Sequence, residues 1–212
     1  MAGTLATARS DLELADWRRR VGDLYRLQGQ GALQGWRQGR DRLFATHPQS
    51  PIAPADRHTF KGLNYFGPDS RYRIRCCLEP ARPGDDWLDI ETNGEDGVIH
   101  YRRSGLLRFE LHGVQCELTV FAMSGYGGGL FLPFRDATSG RETYGGGRYL
   151  FDTVKNTDGL SLEMTPGSIE VVIDFNYAYN PSCAYDDRWA CPLAPRENWL
   201  SVPIRAGEKA YR

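Results

Sequence analysis

A chain of 212 residues, 41% of them hydrophobic, is long enough to fold as one domain with a full core. Its formal net charge of −1 disfavours nucleic acid as a partner, because a nucleic-acid surface needs a concentrated basic face. No apolar run approaches the roughly 20 residues that cross a bilayer, so we expect no membrane partner either.

The first predicted elements are helices within residues 10–46. Apolar residues over 12–27 follow an approximate helical period, and Ser10 or Asp11 is the predicted N-cap. Three glycines then interrupt the pattern, and a second helix follows from Trp36.

The boundary of the helical region is predicted at His47, which precedes a proline and is therefore disfavoured in a helix. From about residue 57 the apolar period changes to two. We therefore predict an N-terminal helical segment over residues 1–47 and an antiparallel β domain over residues 48–212. The predicted strands are residues 72–78, 87–91, 98–101, 106–111, 114–120, 130–134, 169–175 and 200–204.

Short turn sequences separate several of these strands, at Asn93-Gly94, Asp96-Gly97, Ser104-Gly105 and His112-Gly113. Neighbouring strands must then be antiparallel, because a parallel crossover needs a dozen or more residues. Eight or nine strands after a helical segment predict a mainly β fold with a barrel-like antiparallel sheet, or alternatively a two-sheet sandwich. The barrel is favoured because closure removes exposed strand edges.

Two dense polar blocks interrupt the β region, at residues 136–149 and 174–183. Each combines carboxylate, amide and hydroxyl groups, which need defined partners in a folded protein. Alternation along residues 169–176 places Ile169 on the core face and places Asp174 and Asn176 together on the other face. The sequence therefore predicts that the two blocks form one polar site at a rim or in a cavity.

Arg148 is the central residue of this predicted site. Its planar guanidinium suits a carboxylate or a phosphate, and the glycines at 145–147 allow a close approach of the backbone just before it. The alternative interpretation is structural, with Arg148 paired to Asp136, Glu142 or Asp174 so that the loop is fixed to the barrel. A phosphate-binding loop is disfavoured, since neither glycine cluster has the required Lys-Ser/Thr.

The expected function is the binding of a small polar or anionic molecule in the mouth of the barrel. The candidate binding residues are Asp136, Thr138, Ser139, Glu142, Tyr144, Arg148, Asp174, Asn176, Tyr179 and Asn180. Two alternatives are a hydrolase or lyase that uses paired carboxylates, and a structural or interaction domain without a ligand. The absence of a Gly-x-Ser-x-Gly elbow, an HExxH motif and a nucleotide fingerprint disfavours an enzyme, and we expect no cofactor.

The cysteines bear on metal binding and on location. Cys183 and Cys191 are weak metal candidates, because zinc needs about four ligands and no CxxC pair is present, so inert thiols or a local disulfide are each favoured. Five cysteines, an odd number, suit a reducing compartment. Residues 1–8 lack the basic and apolar parts of a secretory signal, and we therefore expect a cytoplasmic protein.

Several short segments share their order and spacing with one known family. They are residues 47–51, 60–63, 65–66, 135–140, 143–150, 174–183, 191–192, 197–198 and 206–209. With these segments the chain resembles the shorter form of the bacterial and archaeal family known as domain of unknown function 1684, from about Trp36 to Lys209. The resemblance implies no established activity, and it favours the interpretation that the two polar blocks are one feature.

Overall fold

The computed structural model describes residues 2–84, 86–92 and 97–212. The turn predicted at Asn93-Gly94 and the residue Asp96 lie outside the described residues. Two α-helices, α1 (Ala2–Leu24) and α2 (Ala32–Thr46), precede the strands. None of the described helices is both long and apolar enough to cross a membrane.

The predicted start of helix α1 at Ser10 or Asp11 is wrong. The helix already includes residues 2–9, a stretch rich in alanine, the strongest helix former. The Ser10 hydroxyl instead accepts a hydrogen bond from the Gln49 side chain at 3.1 Å. The end of helix α2 agrees with the prediction, because His47 has an extended backbone, with ψ 138°.

Helix α2 packs on the β region of its own chain through aromatic contacts. Trp36 is fully buried, and its ring centroid lies 5.3 Å from that of Tyr177. About two helical turns further on, the rings of Phe44 and Tyr185 are 5.1 Å apart. Aromatic pairs at these distances stabilise a contact beyond the area that they bury, so the helix is a fixed part of the β structure.

The described residues form eight strands of one antiparallel sheet. In chain order the strands are β1 (Arg73–Glu79), β2 (Trp87–Glu91), β3 (Val98–Leu111), β4 (Val114–Met123), β5 (Gly129–Phe134), β6 (Arg148–Asp152), β7 (Leu162–Met164) and β8 (Glu170–Asp174). Their order in the sheet is β6-β5-β4-β3-β1-β8-β7, with β2 paired to β3. The sheet is barrel-shaped and nearly closed, which confirms the predicted fold class, and an isolated bridge between Tyr149 and Tyr179 covers the outer edge of β6.

The turn predicted at Ser104-Gly105 is wrong, because residues 98–111 form the single strand β3. The register of β3 against β4 shifts between Arg103 and Gly105, so the strand has an irregularity there instead of an end. A side chain at position 105 would place its Cβ 2.7 Å from the carbonyl oxygen of Glu79 on β1. Glycine at this position therefore allows close approach of a neighbouring strand, and not a turn.

The strand predicted at 200–204 is also absent from the described structure. Leu200, Val202 and Ile204 alternate as a strand would and are buried in the main core, but they do not join the sheet ladder. Conversely, β6 and β7 were not predicted. All five residues of β6 are buried, so it lacks the alternation that marks a half-exposed strand.

The alternation predicted for residues 169–175 is confirmed at its centre and wrong at its start. Val171, Ile173 and Phe175 are buried in the main core, whereas Ile169 lies just before β8 and is exposed. After Asp174 the chain turns into a short 3₁₀ helix, which ends the period of two.

Candidate functional site

Asp136 and Arg148 form a completely buried ion pair at the join of β5 and β6. Asp136 lies two residues after β5, Arg148 begins β6, and the Oδ2 atom of Asp136 accepts a hydrogen bond from Arg148 at 2.9 Å. The guanidinium also donates to the carbonyls of Ile204 at 2.8 Å, Glu208 at 3.1 Å and Ala206. Burial lowers the pKa of Arg148, and the Asp136 carboxylate opposes that shift.

The loop between β5 and β6 is built around the other oxygen of Asp136. This Oδ1 atom accepts hydrogen bonds from the Thr138 amide at 2.8 Å, the Thr138 hydroxyl at 2.6 Å and the Ile204 amide at 3.1 Å. The Ser139 hydroxyl accepts from the Asp136 amide at 3.2 Å. Gly147, with φ +95°, brings the backbone so close to β5 that a Cβ there would lie 2.6 Å from the Phe134 carbonyl oxygen. Asp136, Thr138, Ser139 and Arg148 are thus brought together, and their contacts lie within the protein.

Glu142, Asp174 and Asn176 have hydrogen-bond partners of their own outside this buried pair. Glu142 is partly exposed and pairs with Arg205 at 2.9 Å, and this hydrogen-bonded partner lowers the pKa of Glu142. Asp174 caps the 3₁₀ helix by accepting from the Asn176 amide at 2.9 Å and its side chain at 2.8 Å. Burial raises the pKa of Asp174. Asn176 also hydrogen-bonds the backbone of Asp69, at 2.9 and 3.0 Å, so it tethers a distant loop.

A second buried ion pair was missed by the sequence reasoning. Arg40 of helix α2 contacts Glu208 at 2.7 Å, with side-chain exposures of 8% and 1%. Glu208 also accepts hydrogen bonds from the Asn180 amide at 3.2 Å and from the Tyr185 hydroxyl. Burial raises the pKa of Glu208, and Arg40 opposes the shift. The available signal was a lone arginine on the apolar face of α2, but 168 residues separate it from its partner.

Tyr179 and Asn180 complete the contacts around this second pair. The Asn180 side chain donates to the Lys209 carbonyl at 2.8 Å, and the Tyr179 hydroxyl lies 2.8 Å from the Thr157 hydroxyl. Among the described residues, Asn180 Oδ1 and Arg148 Nε are buried without a hydrogen-bond partner. Both polar blocks therefore converge on the segment 204–209, the first through Arg148 and the second through Asn180.

A cleft of about 380 Å³ lies where the two polar blocks meet at the surface. Its lining includes Glu91, Tyr144, Cys183, Arg188, Trp189 and Cys191. The Tyr144 hydroxyl, from the first block, donates to the Cys183 sulphur, at the end of the second block, at 3.6 Å. Tyr144 is the member of the predicted binding set that lines this cleft, and burial raises its pKa.

The two cysteines in the cleft are free thiols in direct contact. The Cys183 amide donates to the Cys191 sulphur at 3.4 Å, which places the two residues side by side. Hydrogen bonding from Cys183 lowers the pKa of Cys191 to about 6, whereas the pKa of Cys183 is raised. Among the described residues, no group of three or more His, Cys, Asp or Glu side chains is placed to hold a metal ion.

A second surface groove lies between α1 and the end of α2. Here His47 Nε2 lies 3.2 Å from Asp16, and His47 Nδ1 accepts a hydrogen bond from the Gln49 amide at 3.1 Å. The hydrogen bond to His47 lowers the pKa of Asp16. Since both ring nitrogens are engaged, His47 joins the two helices and is not placed as a free acid or base.

Comparisons with known proteins identify relatives without an assigned activity. The chain is similar to an uncharacterized protein from gene locus rrnAC0354 of Haloarcula marismortui, known from a solution NMR structure. The two sequences are 36% identical, the match covers 84% of this chain and 91% of that chain, and the TM-score is 0.60. No curated protein matches the chain. The family described as "Protein of unknown function (DUF1684)" matches residues 58–209, and the chain belongs to this family.

Proposed function

We propose that the protein is a small-molecule binding module whose ligand site is the cleft at the junction of the two polar blocks. The observation that carries the proposal is the convergence in this cleft of a tyrosine hydroxyl, two thiols, a guanidinium and an indole ring. Its volume of about 380 Å³ suits a compact ligand, since ligand pockets range from about 300 to 1,000 Å³.

The buried ion pairs support this site as its scaffold. Arg148 holds the segment 204–209 against the barrel, and Glu208 of this segment pairs with Arg40 of helix α2. Asn180 joins the same segment to the second block. A binding site needs side chains whose positions are fixed by a surrounding shell of contacts. In this proposal the predicted residues Asp136, Thr138, Ser139, Arg148, Tyr179 and Asn180 position the cleft, and Tyr144 contacts the ligand directly.

The charges in the cleft favour a zwitterionic ligand of amino-acid or short-peptide type. Arg188 offers a guanidinium for a carboxylate, while Glu91 and Asp187 offer carboxylates for an ammonium group. Trp189 adds a flat apolar face, and its indole nitrogen donates to the Pro51 carbonyl at 3.1 Å, which fixes the ring. A compact molecule with both charges and a small apolar part fits these groups.

The positions of the acidic residues favour binding over carboxylate catalysis. Asp136 is bound to Arg148, Glu142 to Arg205, and Asp174 to the backbone that follows it. An acid and base pair needs two carboxyl groups that face one substrate. Since each of these carboxylates has separate partners, we propose a binding role and not a hydrolase or lyase.

The test is an NMR titration that follows the indole resonance of Trp189. Glycine, glutamate, glycylglycine and S-methylglutathione are added separately to the ¹⁵N-labelled protein, and at least one should produce a saturable shift. Arg188→Ala should weaken that binding by roughly tenfold, the value of one exposed charge-assisted hydrogen bond. Arg141→Ala, a change in an exposed arginine of the first block, is the control. No saturable shift at millimolar concentrations with any probe would refute the proposal.

We also propose that the protein acts in the cytoplasm. All five cysteines are free, including the adjacent Cys76 and Cys77, and free thiols suit a reducing compartment. Cell fractionation with an antibody to the native chain tests this location, and recovery outside the cytoplasmic fraction would contradict it.

A further inference from the structure

The cysteine pair in the cleft differs from the other cysteines of the chain. Cys183 and Cys191 are both partly exposed and touch one another, although eight positions separate them in the sequence. Cys76 and Cys116 are buried in the main core, while Cys77 is exposed on β1. Because the two thiols are accessible and belong to residues in contact, a disulfide can form between them without large movement of the backbone.

The surroundings give the two sulphur atoms different chemical roles. The Cys191 sulphur accepts a hydrogen bond from the Cys183 amide at 3.4 Å, and Lys155 adds a nearby positive charge. These contacts favour the thiolate, which is the nucleophilic form of cysteine. The Cys183 sulphur has a different donor, since the Tyr144 hydroxyl at 3.6 Å is placed to stabilise negative charge on it.

We propose that Cys191 and Cys183 carry out thiol–disulfide exchange with small peptide-like disulfides bound in the cleft. The proposal rests on the ligand-binding role proposed above, and it names the class of ligand. Arg188 and the carboxylates of Glu91 and Asp187 would hold the charged ends of such a molecule, with its disulfide directed at Cys191.

The exchange takes place in two balanced steps. The Cys191 thiolate attacks one sulphur of the substrate, so that a mixed disulfide forms as the substrate S–S bond breaks, and the departing thiolate takes a proton from water. Cys183 then gives its proton to water and attacks the Cys191 sulphur, which releases the second substrate half as a thiolate that is protonated. Two electrons pass from the protein dithiol, which becomes a disulfide, to the substrate, which becomes two thiols.

Peptide mapping after oxidation is a direct test, because Arg188 lies between the two cysteines and is a trypsin site. The protein is equilibrated in glutathione buffers of graded ratio, quenched with acid and a thiol-blocking reagent, and digested without reductant. We expect peptide 156–188 joined to peptide 189–196, at a mass two hydrogens below their sum, in a proportion that follows the buffer ratio. Absence of the joined peptide across the series, with Cys77 glutathionylated, would overturn the proposal.

Single substitutions assign the two roles. Cys183→Ser should trap glutathione on Cys191, so that peptide 189–196 carries a stable mixed disulfide. Cys191→Ser should react with oxidised glutathione at least about fivefold more slowly, because the remaining thiol lacks the backbone amide donor that favours the thiolate at Cys191. Cys77→Ser removes a lone exposed thiol and should behave as the unchanged protein. Trapping on Cys183 and not on Cys191 would overturn the assignment of the nucleophile.

A ligand without a disulfide separates exchange from binding. S-methylglutathione, which has no reactive sulphur, should bind the unchanged chain and shift the Trp189 resonance. Binding of this ligand, together with no joined peptide from the same chain, would overturn the exchange proposal alone. A joined peptide that forms as fast with neutral oxidised dithiothreitol as with oxidised glutathione would overturn the peptide-like substrate class.

Discussion

Replacing Arg148 with methionine removes the guanidinium from a site where it contacts one carboxylate and three backbone carbonyls. Methionine has a similar length and fills much of the same volume, so the main effect is the loss of charge and of hydrogen bonds. Asp136 then remains buried without its counter-charge, and the carbonyls of the segment 204–208 lose their donor.

Breaking a buried ion pair by removing one partner costs about 3–5 kcal/mol. The side chains of both Asp136 and Arg148 are completely buried, so solvent does not screen the pair and the full range applies. A domain of this kind has a total stability of about 5–15 kcal/mol, so the loss is a large part of it. We expect the free energy of unfolding of Arg148→Met to fall by this amount.

Urea unfolding followed by tryptophan fluorescence measures this change. The double variant Arg148→Met with Asp136→Asn is the informative partner, because asparagine keeps an oxygen acceptor for Thr138 and Ile204 without the buried charge. It should recover about 1–2 kcal/mol relative to the single variant. Arg205→Ala breaks the partly exposed pair with Glu142 and should leave the midpoint nearly unchanged.

Two results would refute this reasoning. If the free energy of unfolding of Arg148→Met lay within about 1 kcal/mol of that of the unchanged protein, the ion pair would add little to the attachment of the segment 204–208. A double variant less stable than Arg148→Met would mean that the uncompensated Asp136 charge is not the source of the cost.

Three further predictions concern other parts of the fold. Asp174→Asn should gain stability relative to the unchanged protein as the pH rises above about 4, because burial raises the folded pKa of Asp174 and makes its ionisation unfavourable in the folded state. Urea midpoints at several pH values measure this gain, and a pH-independent difference would contradict it. Gly105→Ala should lower the free energy of unfolding by about 1–3 kcal/mol, because the added Cβ collides with a strand carbonyl. Gly67→Ala, which has open space around it, is the control and should be near neutral. Equal effects of the two substitutions in thermal unfolding would contradict the steric explanation. Glu208→Gln should cost about 3 kcal/mol by leaving Arg40 buried without a counter-charge, and a melting temperature like that of the unchanged protein would contradict this.

Alternation and turn chemistry predicted those elements that have one buried and one exposed face. Strand β2 begins and ends as predicted, at residues 87–91, because its side chains alternate in burial and the residues that flank it in the sequence are typical of turns. Strand β6 has only buried residues and begins inside a polar block, so its period carries no signal. The sequence around Gly105 is typical of a turn. Only the position of the adjacent strand β1 shows that glycine at 105 allows the two strands to approach closely.

The candidate site was predictable where partners are near in sequence. Asp136 and Arg148 are 12 positions apart, in the loop after β5 and at the start of β6, and Asp136 is one of the three partners that the structural interpretation allows for Arg148. Arg40 and Glu208 are 168 positions apart, and neither residue has a local pattern that indicates the other. The contact between the blocks through Tyr144 and Cys183 also depends on tertiary structure, since those residues are 39 positions apart.

The pair of Arg40 and Glu208 also bears on the order of events during synthesis. Helix α2 leaves the ribosome long before residue 208, so Arg40 first meets water, or a transient partner, in place of its native counter-ion. Contacts of such high sequence separation close late, because the intervening chain must be ordered first. We therefore expect helix α2 to gain its buried counter-charge only after residue 208 has left the ribosome, which makes its stable docking a late step.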